Sequence, residues 1–497
     1  MSRRWRRPSW VVGVASLAIV MAACSSSSNK STSATSAAGG TSATSAGATG
    51  GAACSSPDTS IDAQEGQYAG WMQAVLNCTA KKPVKATGAP VTIGFINSQG
   101  DPNGSFPDVT AGGQATVDYI NNELGGIGGD PLKGTPGRPI KLVTCYQTIA
   151  PSSSTSCANQ VVSQKPVMIF SGYQFFGQVV DPIYAAAGIP VVNFSPITQA
   201  DFQGKNIYDI AAGGGCVGVH PALISFSVYN LHAKNLAIPW ANTPPGVPCY
   251  YDLEQKPVEV INGSLTPTPQ GVKLVQGLKE KGYPVPPAAP DLSATAAQIL
   301  AQKPDTIIFS GQASDCFNVM NALANAGWTS QQIPMVLSGA CMDTKQIAQA
   351  GSKVDGVYFV GSSYNLLDPT SATGLPQQEI QTINTKMKQY QPSQTPTGLE
   401  AAMFQTIMTT WLTLQNSPAA SDPTASAIGT ALQNTSKVHM FAGVPWGCQS
   451  APQNYSSVCS TQVSVLQWTG SKFKTVTKPF DASYIVAGTP LHETGSG

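Results

Sequence analysis

The sequence predicts an α/β protein of two doubly wound lobes, each a parallel sheet with helices on both faces. Three observations carry this. From residue 91 to residue 362, short apolar runs of strand length alternate with amphipathic stretches of helical period. The runs are continuously apolar rather than alternating, which is the pattern of strands buried on both faces of a parallel sheet. The chain is 497 residues long, enough for two or three bodies at roughly 100–200 residues per domain, and the series restarts near its middle.

The elements follow in order. Residues 54–88 form a preface with a short helix over 62–76 that ends at Cys78. The first series runs through strand 91–96, a Gly, Pro and Asp loop, helix 112–123, strand 140–144, helix 156–163, strand 167–171, helix 179–187 and strands 190–194 and 206–210. The second runs through helix 219–231, strands 235–240 and 258–262, helices 270–281 and 294–302, strand 306–310, helix 316–326 and strands 334–338 and 356–362. Helices over 377–390 and 398–415 come next, then strands 462–468 and 473–477. Strands separated by helices in this way read as right-handed βαβ units.

The first 53 residues read as an address and a tether. Arg3, Arg4, Arg6 and Arg7 precede an apolar run over 10–21, too short for a membrane-spanning helix but of the length of a signal core. The run ends at Met21-Ala22-Ala23-Cys24, which resembles the lipobox of bacterial lipoproteins. That resemblance implies a signal peptide over 1–23, removed by cleavage, and a diacylated Cys24 holding the chain on the outer face of the bacterial cytoplasmic membrane. Stable anchoring takes about two acyl chains. Residues 25–53 are Ser, Thr, Ala and Gly with one Asn and one Lys, a composition that buries almost nothing and serves as a linker.

Composition excludes several functions. With 27 Lys plus Arg against 26 Asp plus Glu the net charge is +1, and no broad basic field exists to hold nucleic acid. Charged residues make up 11%, against roughly 25% in ordinary soluble domains, while 42% of the chain is hydrophobic. Of 11 cysteines, setting Cys24 aside leaves ten. They fall in consecutive close pairs: Cys54 with Cys78, Cys145 with Cys157, Cys216 with Cys249, Cys316 with Cys341 and Cys448 with Cys459. An exported chain with an even set favours disulfides, although spacing alone does not determine connectivity. No CxxC occurs and His220, His232, His439 and His492 are scattered, so no metal site and no cofactor are expected. Residues 213–218 formally fit GxGxxG, but the next strand ends at Trp240 and not at the acid a ribose would need, so the segment reads as a hinge. No GxSxG elbow or clustered catalytic His is present, and the chain is read as a binder and not an enzyme.

From about residue 91 the chain resembles the type I periplasmic binding proteins, in the branch of leucine/isoleucine/valine receptors of ABC transporters. The resemblance rests on Val91-Thr92-Ile93-Gly94-Phe95-Ile96, Asp118-Tyr119-Ile120-Asn121, Gly125-Gly126-Ile127-Gly128-Gly129, Cys145 with Cys157, Pro182-Ile183-Tyr184, Gly188-Ile189-Pro190, Gly311-Gln312, residues 323–327 and Gln467-Trp468. It implies two lobes with a hinge crossed three times, lobe 1 over 89–214 and 365–445 and lobe 2 over 215–364 and 446–490. A small polar or amino-acid-like ligand would be trapped between them and passed to a membrane permease. An envelope sensor without transport and a secreted hydrolase are the rival readings.

In open parallel sheets ligands bind beyond the carboxyl ends of the strands, here the loops 98–108, 171–177, 195–198, 240–252, 311–315 and 339–343. The resemblance puts Ser105 and Phe106 at an aromatic side-pocket position, Gln174 near a carboxylate-holding serine, and Ser195 and Thr198 on the segment that holds the ligand's ammonium and carboxylate. Tyr173, Trp240 and Tyr364 are candidates for stacking, and Gln312 lies on a matched loop. The family's second-lobe tyrosine falls near Ala313, and the glutamate that pairs an ammonium falls near Ala340. Asp315 or Asp343 would have to replace that acid; without it, amides, aromatic acids or other small polar molecules fit better than an α-amino acid.

Overall fold

The computed structural model describes residues 54 and 56–491, apart from Ala212, Gly214, Pro245 and Pro490. The predicted signal, the tether and Cys24 lie outside the described residues. Among the described residues, twelve strands form two sheets. Strands β1 (Val91–Ser98), β2 (Ile140–Gln147), β3 (Ile169–Tyr173), β4 (Val191–Ser195) and β5 (Ile207–Asp209) make a wholly parallel sheet in the order β2-β1-β3-β4-β5. Its central strands are buried on both faces, as their unbroken apolar runs require, whereas β2 at the edge alternates with exposed residues.

The second sheet contains β6 (Asn235–Ala241), β7 (Lys279–Val285), β8 (Thr306–Phe309), β9 (Met335–Ser338), β10 (Tyr358–Gly361), β11 (Ser464–Trp468) and β12 (Phe473–Thr475), in the order β12-β11-β10-β9-β8-β6-β7. Strands β6 to β10 are parallel, and β11 and β12 extend the sheet antiparallel. The five parallel strands repeat the topology of the first sheet: the first strand of each set lies between its second and third. Each sheet therefore has one switch point, β1/β3 and β6/β8, where loops diverge and leave a crevice. The fold expected from the sequence is borne out.

Three elements differ from the sequence reading. Residues 258–262 belong to a helix, Lys256–Asn262, that continues the helical run from Gly246. Pro257 lies inside this run, just after its π-helical turn Tyr251–Gln255. The helix expected over 270–281 is instead a turn segment with positive φ at Gly271 and Gly277, leading into β7. As an edge strand, β7 carries Lys279, Glu280 and Lys281 and lacks the apolar run that marks a central strand. The preface helix breaks at Gly66 (φ 93°) and Tyr68 (φ 75°) into Asp62–Glu65 and Ala69–Thr79.

The preface packs on the first sheet's helices. Trp71 lies 5.7 Å from Trp411, on the buried helix Gly398–Gln415. The imidazole of His439, fully buried, bridges Glu65 O and Glu379 Oε1, each at 2.7 Å. Helix Gly398–Gln415 buries four threonines; Thr406, Thr410 and Thr413 return their hydroxyls to carbonyls one turn back, and Thr409 accepts from Phe441 N. Among the described residues no helix is long and apolar enough to cross a membrane.

The chain passes between the sheets three times, at about 210–218, 361–366 and 459–464, and these segments touch. Ser464 N and Oγ both donate to Ser362 O, at 3.2 and 2.9 Å, and Cys459 N donates to Asp209 O at 3.0 Å. Gly213, Gly215 and Gly218 serve this packing. Gly213 and Gly215 have φ of 84° and 57°, and a Cβ on Gly218 would lie 1.9 Å from Gly213 O and 2.7 Å from Thr461 O. Gly218→Ala should therefore lower the thermal unfolding midpoint strongly, whereas Gly429→Ala, whose Cβ has no neighbour closer than 3.5 Å, should leave it unchanged or raise it.

Asp209, at the end of β5, is fully buried and neither carboxylate oxygen has a partner. Burial, reinforced by Asp201 and Asp181, holds its pKa well above the ordinary carboxylate range. A folded-state pKa above the unfolded one contributes stability that is fully present below about pH 4 and is lost as pH rises through the folded value. Asn193, whose Oδ1 is also unpartnered, is its neighbour in the ladder. Asp209→Asn should raise the melting temperature by a few degrees at pH 7.5, with the gain vanishing near pH 4, as read by scanning calorimetry.

Candidate functional site

A cavity of about 200 Å³ lies beyond the carboxyl ends of both sheets. Tyr173 and Ser195 end β3 and β4, Ala241 ends β6, Ser310 follows β8, and Ser338 and Gly361 end β9 and β10; all six line it. This is where the two topological switch points direct a ligand.

One wall is aromatic. The rings of Phe106 and Tyr173 are stacked with centroids 3.7 Å apart, and Phe194 meets Tyr173 edge-on at 5.8 Å. Phe175 closes the wall. The buried amide of Asn97, at the end of β1, sets this pair: its Nδ2 donates to Phe106 O at 2.7 Å and its Oδ1 accepts from Tyr173 N at 3.0 Å. Gly172 leaves room for it, since a Cβ there would lie 2.5 Å from Asn97 Oδ1. Burial lifts the Tyr173 phenol well above its ordinary range, with Cys216 adding to it and a hydrogen bond with Ser195 opposing it.

The facing wall comes from the loops after β8 and β9. Gln312, Asp315, Ala340 and Met342 line it, and the Cys316–Cys341 disulfide ties the two loops together. Asp315 is the one carboxyl among the described lining residues, and no Lys or Arg lines the cavity. Its Oδ1 accepts from Ala288 N at 3.1 Å, and burial raises its pKa despite that bond. Leu366, Leu367 and Leu399 complete an apolar floor. Helices Cys216–Ser225, Ala313–Asn325 and Gly398–Gln415 all begin at the cavity, bringing N-terminal partial positive charge without a Lys or Arg.

Of the residues singled out from the sequence, Phe106, Tyr173, Ser195, Gln312, Asp315 and Tyr364 line the cavity. The other five are used in local structure. Ser105 Oγ accepts from Gly100 N, and Gln174 is buried between Gln147 and Phe176 N. Thr198 caps the helix Gln199–Gln203, Trp240 stacks on Tyr250 at 5.2 Å, and Asp343 caps the helix Thr344–Ala350. The sequence reading missed Asn97, whose signal was a polar residue closing an apolar strand, and Leu366, Leu367 and Leu399, which carry no signal apart from the fold.

Four of the five expected disulfides are formed. Cys216 and Cys249, expected to make the fifth, are free. The ligand atoms of both and of His220 lie within 4.8 Å of one another, on the cavity wall. The expectation of scattered histidines without metal-binding company is corrected here: Cys216 and His220 are one turn apart on one helix, and the fold adds Cys249 from after β6. Cys249 S–H donation, with His220 beside it, favours the Cys216 thiolate. Burial opposes a charge on His220, but Cys216 and Glu254 outweigh it and raise its pKa to about 10.

Comparison with known proteins agrees with this architecture. The profile of a family described as periplasmic binding protein matches residues 270–460. No curated protein matches by sequence. Among solved structures, the fatty acid ABC transporter substrate-binding protein of Thermomonospora curvata superposes with a TM-score of 0.62 at 14% identity, over 81% of this chain and 96% of that one. A branched-chain amino acid transporter substrate-binding protein of Streptococcus pneumoniae, in complex with isoleucine, gives 0.57 at 13% identity over 79% and 99%. An ABC transporter solute-binding protein of R. palustris, in complex with 4-hydroxybenzoate, gives 0.58 at 15% identity over 79% and 97%. The resemblance read from the sequence is thus met by a binding-protein family match and by the type I periplasmic binding fold.

The Cys316–Cys341 bridge closes a loop of 25 residues, for which chain-entropy reasoning gives about 3 kcal/mol of stabilisation. A Cys316→Ser, Cys341→Ser double variant should lose stability of that order in denaturant unfolding.

Proposed function

We propose that this chain is an extracytoplasmic solute-binding lipoprotein that captures a small carboxylic acid with an aromatic or branched apolar body and delivers it to an ABC importer. The observation that carries the reading is the cavity's balance: an aromatic wall and apolar floor, three helix N-termini, one carboxyl and no Lys or Arg. An α-amino acid would bring an ammonium group into this space, and Ala340 lines the cavity where the family resemblance calls for an acid. An unpaired buried ammonium is costly, and Asp315 is already held by Ala288 N. A carboxylate meets helix N-termini instead, and its body stacks on Phe106 and Tyr173.

Contacts contributed by both sheets favour the closed arrangement when ligand is bound, so binding shifts the population toward closure. Micromolar capture corresponds to about 8 kcal/mol, within reach of one buried ring and a few hydrogen bonds. The solved relatives that bind isoleucine and 4-hydroxybenzoate support a cleft whose polar contacts, not its fold, select the ligand.

Thermal shift and calorimetry with benzoate, 4-hydroxybenzoate, medium-chain fatty acids, leucine and phenylalanine test the ligand class. Aromatic or aliphatic acids should raise the melting temperature and the amino acids should not. Phe106→Ala should weaken acid binding about tenfold or more, the cost of losing one buried aromatic contact, and Asp315→Asn should leave it unchanged. Binding of leucine that Asp315→Asn abolishes would refute the acid reading. For the anchor, Cys24→Ala should move the protein from the membrane fraction to the soluble one, and deletion of the gene should slow uptake of the labelled acid.

A further inference from the structure

We propose that Cys216, His220 and Cys249 form a binding site for a zinc-type divalent cation, with one coordination position open to the cavity. The three donor atoms lie within 4.8 Å of one another. In a tetrahedral site with metal–sulfur bonds of about 2.3 Å and metal–nitrogen bonds of about 2.0 Å, the donors stand a little under 4 Å apart, so small side-chain rotations close this set around an ion. Two thiolates and a neutral imidazole balance a divalent charge and are the ligands that zinc prefers. Binding forms two metal–sulfur bonds and one metal–nitrogen bond and releases two protons to solvent, one from the Cys249 thiol and one shared by the Cys216–His220 pair.

The fold supplies the parts a metal site needs beyond its ligands. Cys216 and His220 project from one face of helix Cys216–Ser225, four residues apart, a spacing held by the close-packed crossing just before it. Glu254, itself buried, places Oε1 2.8 Å from His220 Nδ1; with Nε2 as the ligand atom it would be the carboxylate behind a ligating histidine that fixes the ring and raises its basicity. The other eight described cysteines are all in disulfides. This pair alone flanks an imidazole instead of a second sulfur. All three ligands line the cavity, so the remaining position faces the space beside Tyr173 and would take water or a donor atom of the cavity's occupant.

The site goes beyond the solute-binding reading and is tested without any organic ligand, so either can fail alone. The full chain is alkylated with iodoacetamide with and without zinc and peptide-mapped without reduction. Cys216 and Cys249 should be labelled in the absence of zinc and protected in its presence. Titration with cobalt should reach one ion per chain and show thiolate-to-metal charge-transfer absorption. Glu254→Gln should weaken zinc binding about 10–100-fold, and His220→Ala and Cys249→Ser should abolish the cobalt absorption. Recovery of Cys216 and Cys249 as a disulfide-linked peptide, or equal labelling with and without zinc in the unmutated chain, would overturn the proposal.

Discussion

The architecture depends on how closely three backbone segments approach where the chain passes between its sheets. At Gly218 a single methyl would collide with Gly213 O, and the third crossing brings Thr461 O to the same spot. Serines complete the contact, with Ser464 donating to Ser362 O. This packing fixes where β3, β4, β6, β8, β9 and β10 end relative to one another, and those ends are the cavity. It also launches helix Cys216–Ser225, so the aromatic wall and the Cys216–His220 face are placed by the same constraint.

The scarcity of charge, 11% of the chain, acquires a structural meaning. Polar groups that must be buried are mostly neutral and pair nearby: the threonines of helix Gly398–Gln415 return to their own carbonyls, and Asn97 braces two loops at once. Such groups avoid the desolvation cost of ions. Where ionisable groups are buried, they come as tight sets, as with His439 and Glu379, or burial raises the pKa, as with Asp209.

Much of the fold was legible because central parallel strands announce themselves. The runs at 91–96, 190–194 and 306–310 have no competing interpretation, and they carry the topology. Edge strand β7 was misread because Lys279 and Lys281 face solvent and Glu280 is charged, and segment 258–262 was misread because Val258, Val260 and Ile261 suit either a strand or a buried helix. The site was half legible. Phe106 and Tyr173 sit just beyond strand ends, where position alone marks them. Thr198 and Asp343 sit equally well placed, but their side chains cap helices, and a cap residue and a ligand contact look alike in sequence. The Cys216, His220 and Cys249 cluster has only the four-residue step from Cys216 to His220 as a local signal, since Cys249 arrives only after a strand has intervened.

The two sheets share one strand order, yet their switch points carry unlike chemistry: stacked rings and a bracing amide on one side, a disulfide-tied pair of small-residue loops on the other. A repeat of topology with broken chemical symmetry gives the cavity a polarity. A flat, apolar body is complementary to only one half, so an occupant has a single way round. Whatever grips its other end therefore always meets the same loops.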